Sequence, residues 1–178
     1  MRPVVLAGAL ALCCWLPAGA AVVSSAENGC VVTETVHIAA APNQVYELIL
    51  QPAKWWNPQH TFSHDAANLS LEARAGGCFC EKAADGSSVQ HLMVVRVAPG
   101  KLLVLRGALG PFQGQSVEGA LTWSLQAAAN GQTDLTLTYA LGGYLALPGG
   151  FARWSKAADE MLGEQVGRLQ KVAEGVQH

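Results

Sequence analysis

From Phe151 to about Val176 no proline interrupts the chain, and Phe151, Trp154, Ala158, Met161, Leu162, Val166, Leu169 and Val172 recur at three- and four-residue steps. Gln165 falls on the same stripe. The spacing predicts a helix of about seven turns with one apolar face. Arg153, Lys156, Glu160, Glu164, Arg168 and Lys171 occupy most of the other side. The stripe is too broad for one flat neighbour to cover, so a curved layer is expected to wrap it.

Upstream, the period changes to two. Val32, Glu34, Val36 and Ile38 alternate with Thr33, Thr35 and His37, which predicts a first strand over Cys30 to Ala40. Ala41-Pro42-Asn43 reads as the start of a short helix that Pro52 ends, and a second helical turn carries Trp55-Trp56 up to Pro58. Asn57 to Asn68 is polar and aperiodic, a long loop holding His60, Phe62, His64 and Asp65. Six further strands follow. Leu69 to Arg74, Cys78 to Lys82 and Val89 to Val97 are separated by Gly76-Gly77 and Asp85-Gly86. Strict alternation puts Phe79, Glu81, His91, Met93 and Val95 on the inner face, with Cys78 and Cys80 outside. Lys101 to Gly107 is the next strand. Its register is open: one pairing sends Arg106 inward, and a one-residue shift sends it to water. Val117, Leu121, Trp123 and Leu125 face Leu135, Leu137, Tyr139 and Leu141 across a three-residue loop, Ala129-Asn130-Gly131. The pattern is that of an α+β domain in which seven antiparallel strands curve around the C-terminal helix.

Composition changes this picture at the N-terminus. Val4 to Val23 is almost wholly apolar, follows Arg2 and contains Ala18-Gly19-Ala20. We read residues 1–20 as a signal peptide cut after Ala20, with an uncleaved N-terminal anchor as the alternative. The domain is then 31–176, in an exported protein, periplasmic or secreted. Without Arg2 the chain keeps 10 basic against 13 acidic residues. It has no basic cluster, so nucleic acid is not an expected partner. Cys30, Cys78 and Cys80 remain after cleavage. In an oxidising compartment one disulfide among them is expected, its pairing open.

Glu81 and His91, ionisable residues facing an apolar interior from adjoining strands, are the candidate acid/base pair. The same pair could also serve only to satisfy one another at a wet end of the core. His60, His64 and Asp65 carry metal-ligating chemistry, but their spacing fits no zinc pattern; neither a metal nor another cofactor is expected.

Val36-His37-Ile38-Ala39-Ala40-Ala41-Pro42, then Val45-Tyr46-Glu47-Leu48 and Trp55-Trp56, resemble the opening of the SRPBCC superfamily, with its helix-grip or START-like fold. Ala75-Gly76-Gly77-Cys78-Phe79-Cys80-Glu81 and the stretch around Pro99-Gly100 resemble its polyketide cyclase/dehydrase and chaperone-ATPase-activator-homologue branches. The resemblance spans about Val31 to Glu174. It implies a cavity between sheet and last helix, used in relatives for lipids, sterols or polyketides, sometimes with chemistry. The side chains expected around such a ligand are Trp55, Trp56, His60, Met93, Arg106, Phe112, Tyr139, Tyr144, Trp154, Ala158, Met161 and Gln165. Of the adjacent indoles, one is expected at the mouth, near Phe112 or Tyr144. Three functions follow: binding of a small hydrophobic or amphipathic molecule, a cyclase, dehydratase or hydrolase using Glu81 and His91, or a protein-interaction module.

Overall fold

The computed structural model describes residues 21–175; the expected signal peptide, residues 1–20, lies outside the described residues. The elements are β1 (Ala21–Ala26), β2 (Gly29–Ile38), α1 (Pro42–Ile49), β3 (Leu69–Leu71), β4 (Cys78–Lys82), β5 (Ser88–Ala98), β6 (Leu102–Arg106), β7 (Ser116–Ala127), β8 (Thr133–Tyr144) and α2 (Gly150–Ala173). All strands join one antiparallel sheet in the order β1-β2-β8-β7-β6-β5-β4-β3. Strands β3 to β8 are a meander, and the β1–β2 hairpin adds to its last strand. This is the expected helix-grip layout with eight strands instead of seven. The extra strand is β1, whose residues follow the apolar N-terminal stretch in sequence and pair with β2. Among the described residues no helix is long and apolar enough to cross a membrane.

The longest strands follow the alternation closely. Val117, Leu121, Trp123 and Leu125 are buried opposite Leu135, Leu137, Tyr139 and Leu141. The loop between them needs left-handed backbone at Asn130 (φ 58°) and Gly131 (φ 74°), residue types that adopt it at low cost. Strand β5 departs from strict alternation. Phe79 pairs with Leu92 but Cys80 pairs with Gln90, so His91 is an extra residue with no partner on β4. A bulge of this kind turns two successive side chains to one face. His91 and Leu92 are both buried, and the positions from Met93 to Val95 are inverted: Val94 points inward, while Met93 and Val95 are 42% and 43% exposed. Met93 therefore faces solvent, not the interior. A second irregularity sits between Val94 and Arg96, after which Arg96 pairs with Val104. Arg106 lies opposite Met93 and is exposed on the outer face.

Helix α2 packs on β1, β2 and α1. Phe151, Leu162, Val166 and Leu169 are almost completely buried, each contributing about 1.5–3 kcal/mol of burial. Its C-terminal end is tied to the end of β2: Gln170 Nε2 donates to the His37 carbonyl (3.0 Å) and Glu174 Oε1 accepts from the Ala39 amide (3.1 Å). Cys78 and Cys80 point outward and form a disulfide with one another, leaving Cys30 as a buried free thiol.

Helix and sheet also meet at a pair of acids. Glu34 of β2, 4% exposed, meets Asp159 of α2, and Gly163 on the next turn is narrow enough to admit the carboxyl. Glu34 Oε1 and Asp159 Oδ1 have no hydrogen-bond partner among the described residues. Two such carboxyls cannot both ionise at low cost. Burial, then the charge of Asp159 and a hydrogen bond with it, raise Glu34 from its ordinary 4.5 to about 7.

The folded state therefore holds a proton that the unfolded chain releases. Stability from this group is complete below about pH 4.5 and is lost as pH rises to about 7. The expected loss across that window is about 1–3 kcal/mol. Glu34→Gln should lack this component when urea midpoints of wild type and variant are compared from pH 4.5 to 8. Parallel curves for the two proteins would show that Glu34 carries no shifted proton.

Candidate functional site

The segment that follows α1 does not continue as a regular helix: Pro52 and Pro58 each open a single short turn, Pro52–Lys54 and Pro58–His60, and the segment crosses α2 as a strap. Three side chains of α2 catch it. Arg168 Nε donates to the Trp55 carbonyl (2.8 Å), Gln165 Oε1 accepts from the Asn57 amide (2.8 Å), and Glu164 accepts from Asn57 Nδ2 and pairs with His60 Nε2 (3.0 Å). Gln165 is thus fully buried as an anchor of the strap, not a ligand contact.

Both indoles of Trp55-Trp56 are buried, which corrects the expectation that one stands at the mouth. The backbone at Trp55 is non-helical, so the two rings diverge by 56° into separate sites. Trp55 goes down into the core, edge-on to Trp123 at 5.9 Å, with its Nε1 donating to the Leu48 carbonyl. Trp56 lies against Phe79 at 5.4 Å and donates to the His60 carbonyl. It forms part of a cavity wall, whereas Trp55 does not.

That cavity has a volume of about 500 Å³. The strap from Trp56 to Phe62 forms one side, Leu109 to Phe112 forms another, Trp154, Ala157, Ala158 and Met161 of α2 form the third, and His91 and Tyr139 close it from the sheet. Phe112 meets Trp154 edge-on at 6.1 Å. Of the candidate set, Trp56, His60, Phe112, Tyr139, Trp154, Ala158 and Met161 come together here. Met93 and Arg106 are on the outer face. Tyr144 is 74% exposed at the last position of β8, after Gly142-Gly143. His64 is exposed, and Asp65 caps the turn Ala66–Asn68 through the Ala67 amide.

Glu81 and His91 meet as the sequence predicts, with His91 Nε2 3.0 Å from Glu81 Oε2, and they are 2% and 6% exposed. The remaining carboxylate positions are filled from the strap: Oε2 also accepts from the Phe62 amide (3.1 Å), and Oε1 from the Ser63 amide. Burial by itself would raise the Glu81 carboxyl. The hydrogen bonds from Ser63, Phe62 and His91 outweigh it and hold Glu81 below the usual carboxylate range. Burial also pulls His91 down, against the opposing pull of Glu81. The pair is therefore an ionised carboxylate beside a neutral imidazole. Glu81 has no proton to give, so His91 carries its proton on Nε2 and presents a lone pair at Nδ1.

The ring is fixed from both sides, with Phe79 at 5.0 Å and Phe62 stacked at 5.9 Å. Nothing in the sequence marked Phe62 for this, since it stands in an aperiodic loop and reaches His91 only because Glu81 holds its amide. Glu164 was equally hidden, as one charge among several on the polar face of α2. Tyr139 supplies the second polar feature of the sheet wall: its hydroxyl oxygen accepts from the Leu109 amide (2.9 Å), and burial keeps the phenol neutral. The hydroxyl proton has no acceptor among the described residues.

The fold recurs in solved structures. A conserved protein of unknown function from Enterococcus faecalis, EF2215, matches 91% of this chain and 80% of its own with a TM-score of 0.60 at 15% identity. Protein CV1439 from Chromobacterium violaceum gives 0.53 at 21% identity over 80% of this chain and 96% of its own. The di-domain ARO/CYC StfQ of the steffimycin biosynthetic pathway gives 0.54 at 13% identity, over 84% of this chain and 51% of its own. At such identities the likeness is one of fold. No match was found among curated protein sequences. The sequence itself matches the family described as polyketide cyclase / dehydrase and lipid transport over residues 29–174, nearly all of the described chain. This chain belongs to the polyketide cyclase/dehydrase and lipid-transport family.

Proposed function

We propose that the protein is an exported carrier or receptor that binds one small hydrophobic or amphipathic molecule between the sheet and α2. The observation that carries this reading is the cavity of about 500 Å³, within the range of small-molecule sites and walled chiefly by aromatic and aliphatic side chains. Export is supported by the apolar leader and by a disulfide, which persists in oxidising compartments.

A second reading, an enzyme of the cyclase, dehydratase or hydrolase kind, is favoured by one observation. His91 sits on the cavity wall with its tautomer set by an ionised carboxylate, the arrangement a general base requires. Glu81 would then orient the imidazole and stabilise it after proton uptake.

Met161 projects from α2 into the cavity, so Met161→Trp should fill it. Titration with the fluorescent probe N-phenyl-1-naphthylamine should show affinity falling at least about tenfold, with the unfolding temperature changed by no more than about 2 °C. Unchanged probe affinity would place binding elsewhere. For the catalytic reading, the molecule that copurifies with the protein is incubated with wild type and Glu81→Gln, and products are followed by liquid chromatography and mass spectrometry. A catalytic pair predicts retained binding with turnover reduced at least about a hundredfold. Product formed at equal rates removes the pair from the chemistry, and parallel loss of binding assigns Glu81 a structural role alone.

A further inference from the structure

We propose that the ligand is an uncharged ring compound carrying a hydroxyl group, and that this hydroxyl donates a hydrogen bond to His91 Nδ1. The inference rests on the binding reading above and names the chemical class that the cavity selects.

Most polar groups around the cavity are already paired. Trp56 Nε1 donates to the His60 carbonyl, Trp154 Nε1 to the Pro148 carbonyl and Thr61 Oγ1 to the Pro58 carbonyl, while His60 Nε2 is held by Glu164. On the sheet wall two sites remain open. One is the Nδ1 lone pair of His91, an acceptor, because Glu81 takes the Nε2 proton. The other is the hydroxyl proton of Tyr139, a neutral donor. An acceptor held in one orientation between Phe79 and Phe62 selects a ligand group that donates.

Charge selects against anions. Among the described residues no lysine or arginine lines the cavity. Two carboxylates stand directly behind the wall, Glu81 behind His91 and Glu164 behind His60. Bringing a carboxylate or phosphate between them would require removing its water without supplying a counter-charge. A hydroxyl meets no such penalty. The aromatic rings of Trp56, Phe112 and Trp154 in the wall favour a ring system over a flexible chain.

Probes that share one ring system separate these contributions. Isothermal titration of the wild-type protein with 2-naphthol, 2-methoxynaphthalene and 2-naphthoate should rank them in that order. The naphthol is expected to bind about tenfold tighter than its methyl ether, which has the same ring but no proton to donate. Addition of 2-naphthol, and not of the ether, should move the His91 Nδ1 resonance in a nitrogen-detected NMR correlation, a readout that needs no substitution. His91→Phe should cancel the advantage of the naphthol while leaving the ether within about twofold of its wild-type affinity. Equal or tighter binding of 2-naphthoate overturns the proposal. So does parity of naphthol and ether with Nδ1 unmoved, or uptake of N-phenyl-1-naphthylamine without any preference for the naphthol. Failure of every probe, N-phenyl-1-naphthylamine included, would instead sink the binding reading itself.

Discussion

A carboxylate withdrawn from water stays ionised only when donors fill its oxygens, and Glu81 is the place where this protein meets that requirement. Two donors are backbone amides of the strap, Phe62 and Ser63, and one is His91. Much of the site follows from these three bonds. They hold the strap against β4 at the end opposite its anchors on α2, they bring Phe62 over the imidazole, and they decide which nitrogen of His91 is protonated. The bulge on β5 is the matching backbone device. Without the extra residue, His91 and Leu92 could not both face inward, and one of imidazole and core leucine would be lost to solvent.

The inner face carries a second buried carboxyl with the opposite outcome. Glu34 lacks amide donors and meets another acid, so it is held neutral up to about pH 7, whereas Glu81 is held charged. The contrast falls within the same turns of α2, where Asp159 meets Glu34 while Ala158 and Met161 line the cavity. At Glu34 and Asp159 the helix meets the sheet through two facing carboxyls, with Glu34 protonated up to about pH 7. At the cavity it stands off from the sheet, and the gap is bridged by the strap and the turn around Phe112. The cavity of about 500 Å³ rests on a continuous apolar core, from Trp55 and Trp123 to Leu162 and Leu169.

Where burial is set by period, the sequence was legible. The stripe of α2, the two faces of β7 and β8, the Ala129-Asn130-Gly131 loop between them and the inward Glu81 all follow from spacing and turn chemistry. Three things were not. The bulge at His91 leaves no mark in an alternating strand, so Met93 and Val95 were expected on the wrong face while His91 itself was placed correctly. The divergence of Trp55 from Trp56 depends on a non-helical residue between two prolines, which apolar spacing cannot reveal. Gln165 and Glu164 gain their roles only from the path of a loop whose sequence has no period. Tyr144 and Arg106 were candidates on residue type, and their positions beyond a glycine pair and on an outward register remove them from the cavity.

The most direct test of the central claim is native mass spectrometry of the protein purified from its own source, with denaturing spectra of the same sample. The account predicts a reproducible extra mass that is released on denaturation and belongs to an uncharged, hydroxyl-bearing ring compound. A bare polypeptide mass, together with no uptake of neutral aromatic probes at millimolar concentration, about the weak end of measurable affinity, would contradict it.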